Sequence, residues 1–212
     1  MAAVTTETRT RSSSTYIFQQ IANRGKAEGL VPGTEEARDW FRDSASTLKR
    51  VEAQRLMKNK ANLVNRMTMT DVGRMYSFFY DPKHKDTLPF YDRFPLIFVM
   101  EMYSDGFLGM NFHYLPPMYR ARLMDALYQI EKQDNVRQSK KLKMSYNLMK
   151  TAGKFKYFNP CVKRYLTSHV KSRFLYIPYE QWDIALFLPT ERFSKSSKTK
   201  VWSESKRQIR GK

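Results

Sequence analysis

The stretch GFLGMNFHYLPPMYRARLMDAL, Gly106 to Leu127, limits the possible folds more than any other part of the chain. Pro116 and Pro117 stand side by side in it. A proline cannot donate to a strand ladder, and inside a helix its ring meets the carbonyl four residues back. At the first helical position, by contrast, no N–H partner is needed. The run before the pair therefore reads as a strand, Phe107 to Leu115, and the run after it as a helix over 117–131. In that helix Met118, Leu123, Leu127 and Ile130 recur at helical spacing while Arg120, Arg122 and Asp125 take other faces. Gly109 marks a bulge or a tight barrel corner. The stretch is a joint between sheet and helix.

Upstream, GRMYSFFYD (Gly73 to Asp81) alternates aromatic and polar residues as a half-buried strand does, and it breaks at Asp81-Pro82. FPLIFVMEMY (Phe94 to Tyr103) is a mostly apolar run, and SDG supplies turn chemistry before the strand that ends at the prolines. SRFLYIP reads as a further strand and YEQWDIALFL as a short helix closed by Pro189. Thr34, after Pro32-Gly33, is an N-cap with Glu35 and Glu36 in the first turn, and Ala37, Trp40, Phe41, Ala45 and Leu48 share one face of the helix that follows. Trp40 and Phe41 are candidates for packing on a partner. The expected fold is α+β: a small antiparallel, barrel-like sheet flanked by helices, with an extended N-terminal arm and a basic C-terminal tail. The expected divisions are an arm at 1–33, a helical segment and connector at 34–72, sheet plus helix at 73–134, a basic segment completing the core at 135–193, and a tail at 194–212 ordered only against a partner.

Hydrophobic residues make up 42% of the chain and aromatics 14%, enough for a packed core. No stretch approaches the run of about 18 apolar residues that a spanning helix needs, and the N-terminus lacks the apolar region of a signal peptide. The expectation is a chain made and kept in a cytosol. Cys161 is the only cysteine, so no intrachain disulfide forms and the thiol reads as a small buried side chain.

The formal net charge of +18 is concentrated. Residues 135–179 hold eleven Lys or Arg and no carboxylate, and residues 194–212 hold seven against Glu204, so the remainder is close to neutral. Such clustering attracts polyanions or acidic protein surfaces. The candidate contacts to DNA or an acidic partner are Arg137, Lys140, Lys141, Lys143, Lys150, Lys154, Lys156, Lys163, Arg164, Lys171 and Arg173, then Lys195, Lys198, Lys200, Lys206, Arg207 and Arg210. Phe155, Tyr157, Phe158, Tyr165, Phe174 and Tyr176 lie among them, a mixture that holds single-stranded nucleic acid by phosphate contact and stacking. Taken singly, each of these aromatics reads better as core.

Catalytic chemistry has little support. His84, His113 and His169 are scattered, no zinc-ligand spacing exists, and Gly-rich phosphate loops are absent, so no metal or cofactor is expected. Asp71, Asp81, Lys83 and Glu101 lie near predicted strand ends, loosely as in metal-dependent nucleases, but DPKHKD is also a plain turn. Asp92 reads as a local cap or a partner for Arg93. The chain is expected to be non-enzymatic.

The segments Y-x-F-x-Y-D-P-K, LPFYDRFP, GFLGMNFHYLPP and RARLMDAL, together with RYLTSHVKSRFLYIP and QWDIALFLPTERF, resemble proteins of T4-like contractile-tailed bacteriophages over roughly residues 35–195. The resemblance implies a virion protein assembled in the host cytoplasm, present in multiple copies in a symmetric assembly. Its partners would be other phage virion proteins and possibly DNA, with no membrane involved. Two roles follow from it. The first is a structural component of tail, baseplate or neck that joins larger subunits through its arms and basic face. The alternative is a DNA-binding virion protein that protects packaged genome ends.

Overall fold

The computed structural model describes residues 17–31, 34–48, 51–58, 60–131, 137–153 and 158–210. Within the expected arm, the described residues include a helix, α1 (Ile17–Ala27), which buries Phe18 and Ile21. Thr34 then caps α2 (Glu35–Ser46) as its sequence position predicts, its Oγ accepting the Ala37 N–H at 3.2 Å. Ala37, Phe41 and Ala45 turn inward from α2, with Trp40 and Leu48 partly covered. The connector is not featureless: it forms a single turn, α3 (Ala53–Leu56), and a two-residue strand, β1 (Leu63–Val64).

The strands expected around the prolines are present but trimmed. They are β2 (Met75–Ser77), β3 (Tyr91–Asp92), β4 (Leu96–Tyr103) and β5 (Gly106–Asn111). β5 ends four residues before the predicted limit because the Asn111 side chain accepts the His113 N–H at 3.0 Å and starts a single 3-10 turn, Phe112–Tyr114. The helix α4 (Pro117–Glu131) then begins at the second proline. Next come α5 (Gln138–Ala152), β6 (Val162–Leu166), β7 (Phe174–Ile177), α6 (Trp182–Phe187), β8 (Phe193–Ser194) and α7 (Lys198–Arg210).

Six strands form one antiparallel sheet in the order β1-β7-β2-β4-β5-β6, and β3 pairs β8 beside it. Among the described residues β1 and β6 do not pair, so the ladder is open rather than closed into a barrel. The fold is α+β. Both faces of the sheet are covered, which explains why the LIFVM run of β4 is buried without alternation. Leu96, Phe98, Met100, Met110 and Ile177 belong to a core shared with the helices, and Ile97, Val99, Tyr76, Phe78, Phe107, Tyr165 and Phe174 to a second, aromatic one. The main core draws on residues from Phe18 to Ile209. The register shift lies on β4 between Val99 and Glu101, opposite Gly109, and a Cβ on Gly109 would come within 3.1 Å of Ile97.

Two expectations about helix faces are corrected. In α4 the buried set is Arg120, Leu123, Met124 and Leu127, spaced i, i+3, i+4, i+7, so Met118 is left exposed and Arg120 faces the core. The basic tail is helical within this chain: Val201, Ser205 and Ile209 of α7 are buried, and the Trp202 indole donates to the His113 carbonyl at 2.9 Å.

Candidate nucleic-acid interface

The turn between β2 and β3, Asp81 to Phe90, is the element around which the cations collect. Pro82, Lys83 and His84 on this turn, with Tyr80 before it and Leu88, Phe90 and Tyr91 after it, line a cavity of about 340 Å³ with Tyr114, Lys163, Arg164 and Tyr165. Tyr80 and Tyr91 also border a second cavity, of about 370 Å³, with Phe79, Lys85, Arg93 and Lys171. Arg93 reaches on into a third, again about 370 Å³, with Arg192, Ser197 and Lys198. The shared residues make the three cavities neighbours in a row, a track whose lining also includes the carboxylates of Asp81 and Glu191.

The turn is held from the far end of the chain. Lys195 adopts a left-handed backbone conformation, φ 64°, and its Nζ donates to the carbonyls of Lys85, Asp86 and Leu88 at 2.6, 2.8 and 3.3 Å. A non-glycine residue in this region is uncommon, and three carbonyls on one ammonium offset its cost. Asp81 pairs with Lys85 at 3.0 Å, and this hydrogen bond holds its carboxyl below the usual range.

Beneath the track lies a buried polar network. His113 Nδ1 donates to Asp92 Oδ2 at 2.6 Å, and His113 Nε2 is 2.9 Å from the Thr190 hydroxyl. Asp92 also accepts from the Phe94 and Arg192 N–H groups at 3.0 and 3.1 Å and from the Asn111 amide at 3.2 Å. Burial alone would push the Asp92 carboxyl up, but the charge and hydrogen bond of His113, with the Phe94 and Asn111 donors, hold it below the ordinary carboxylate value. Arg120, equally buried, donates to the carbonyls of Leu115, Leu186 and His113. Asp92, His113 and Thr190 are almost fully enclosed and bond to one another and to neighbouring groups of the chain, so this Asp-His-Thr arrangement ties segments together. Of the two readings of Asp92, the cap is the one seen: it caps Phe94.

The predicted cations divide among several places. Lys163, Arg164, Lys171 and Lys198 line the track, and Lys195 holds its turn. Arg164 pairs with Asp105, and Lys198 lies 3.5 Å from Glu191. Arg137, Lys140, Lys143 and Lys150 are exposed on and just before α5 and line none of these three cavities, whereas Lys141 is buried there and is corrected as a surface cation. Arg173, Lys200 and Arg207 are exposed, with Arg207 paired to Glu204, and Lys206 is half-buried. Arg210 closes α7, and Lys154, Lys156, Phe155 and Tyr157 lie outside the described residues.

Phe41 is corrected as a residue packing on a partner: it is buried in this chain's own core. Trp40 is half-buried edge-on to it, with its indole N–H on Glu28. Tyr165 and Phe174 are buried, and Phe158 and Tyr176 partly so. Asp71 is taken up by its own 3-10 turn and by the Tyr76 hydroxyl at 2.6 Å, and Glu101 is exposed on β4. Among the described residues no three potential ligands gather around a metal position. Sequence reasoning misses Lys83, Lys85, Arg93 and Arg192 as track residues. The signal is present in DPKHKD, whose Lys-His-Lys run reads as turn chemistry alone until the neighbouring cations are placed.

Fold and site together define a basic α+β protein with a cationic track leading to an aromatic-lined cavity. No helix of the described residues is long and apolar enough to cross a membrane. The chain belongs to the phage T4 terminal DNA protecting protein family, whose model matches residues 15–208. The kinship with T4-like phage proteins seen in the motifs is thereby established. No curated protein and no solved structure matches the chain.

Proposed function

We propose that this protein binds the ends of a linear phage genome and shields them, acting as a binding protein without catalytic activity. The family match over residues 15–208 carries the reading, and it favours end protection over the tail, baseplate or neck role expected first. The track supports it physically: Lys83, Lys85, Arg93, Lys171 and Arg192 border adjoining cavities, an arrangement suited to following a phosphate backbone. The exposed cations of α5 form a second surface, suited to acidic virion proteins that would keep the end-bound protein inside the particle.

The test is protection of a linear duplex from an added exonuclease, with covalently closed circles of the same sequence as competitor. Protection should appear on linear DNA, resist circular competitor, and weaken with salt at a slope of about −0.9 per phosphate neutralised. Equal affinity for circles and linear DNA would refute end binding, and cutting of DNA by the protein with added magnesium would refute the non-enzymatic part.

A further inference from the structure

We propose that the cavity bordered by Tyr80, Phe90, Tyr91, Tyr114 and Lys163 takes the terminal nucleotide of a DNA strand, its base against the rings and its phosphate at the Lys163 ammonium. The proposal rests on the end-binding reading and names the part of the track that would distinguish an end from the middle of a duplex.

Three observations carry it. The first is shape: at about 340 Å³ the cavity falls within the range of small-ligand sites, about 300–1,000 Å³. The second is the set of ring faces. Phe90 is half-buried, with its ring centroid 6.0 Å from that of Tyr114 and tilted 37° to it, while Tyr80 stands edge-on to Tyr165 at 4.9 Å. Tyr80 and Tyr114 are buried and back the cavity, and the half-buried Phe90 and Tyr91 are the rings that offer apolar surface to a base of any sequence. The third is charge. Lys163 Nζ lies 4.4 Å from the Tyr114 ring centroid, and among the described residues no carboxylate pairs with it. Burial lowers its pKa, the mark of an ammonium short of compensation, and an entering phosphate would supply what is missing. Asp92 also borders the cavity, but His113, Asn111, Phe94 and Arg192 already occupy its oxygens.

An end is favoured over an interior site because a terminal base gives up one stacking neighbour to enter, and an interior base gives up two and its place in a continuous helix. Tyr80 and Tyr91 border the second cavity as well, so the strand behind the captured nucleotide would pass directly to Lys85, Arg93 and Lys171.

The experiment is photo-crosslinking of the full chain to a blunt duplex carrying 5-iododeoxyuridine either at the terminal nucleotide or in the interior, with peptide mapping by mass spectrometry. The terminal probe should label Tyr80, Phe90, Tyr91 or Tyr114, and the interior probe should not. In parallel, Phe90→Ala and Lys163→Gln should each weaken binding to linear duplex about tenfold, with Lys163→Arg restoring it and circular dichroism unchanged. If the wild type prefers linear to circular DNA but the terminal probe labels residues outside the cavity, the proposal is overturned and end binding stands. If linear and circular DNA bind equally, both fall. Crosslinking on the wild type decides the question even if Phe90→Ala fails to fold.

Discussion

Asp92 shows how one side chain can fix several segments. Its two oxygens hold the backbone between β3 and β4, the turn after β5 and the residue that leads into β8, so Asp92→Ala strands a buried imidazole and two N–H groups at once. Breaking a buried pair by removing one partner costs about 3–5 kcal/mol, and a destabilisation of that order should appear as a lower urea midpoint at unchanged slope. Because its folded-state pKa is depressed, the stabilisation is present above the unfolded carboxylate value and lost as pH falls through the folded one. Asp183 behaves in the opposite sense. Burial, only partly opposed by Arg38 and Arg42, raises its pKa from 3.8 to about 6, and among the described residues its Oδ1 has no hydrogen-bond partner. The folded protein therefore takes up a proton at intermediate pH. That contribution is full below the unfolded value and disappears as pH rises through 6, so Asp183→Asn should stabilise the protein by on the order of 1 kcal/mol at pH 8 and by little at pH 4 in thermal melts. The capping role of Asp92 is legible in the sequence because its target is two residues away. That of His113 is not, because its partners lie 21 and 77 residues distant and no local pattern announces them.

Elements whose signals are local can be read from the chain. The N-cap at Thr34, the turn at Ser104-Asp105-Gly106 and the proline boundary at 116–117 all fall where their chemistry requires. Gly106 has a further reason to be glycine: a Cβ there would stand 1.9 Å from the Tyr165 carbonyl of the neighbouring β6. Gly106→Ala must push β5 and β6 apart at their join, and a destabilisation of about 2 kcal/mol or more, with faster amide exchange at the β5–β6 pairs, is the expected result. Elements with sparse signals mislead. The buried line of α7 is Val201, Ser205 and Ile209, only two of them apolar, and a pattern so thin resembles a solvated tail until the surface it covers is known. The strands β1 and β8 are two residues each, below what periodicity can register.

At the scale of the whole molecule, charge that is contiguous in sequence is divided in space. Helix α5 presents its exposed cations apart from the track, while Lys83 and Lys171, 88 positions apart, serve adjoining cavities. The two groups should be separable. Lys83→Glu with Lys171→Glu should reduce the salt slope of DNA binding by about 0.9 for each phosphate no longer neutralised, whereas Lys140→Glu with Lys143→Glu should leave that slope unchanged. A net charge concentrated in the C-terminal half is visible in the sequence, but its division is not, since it depends on β7 inserting between β1 and β2. The lysine that clasps the β2–β3 turn also sets an order in time. At a synthesis rate of about 5–20 residues per second, the turn leaves the ribosome some 5–20 s before Lys195 does. During that interval its carbonyls have no ammonium to gather them. A nascent chain, or one terminated before Lys195, therefore carries the turn without its clasp.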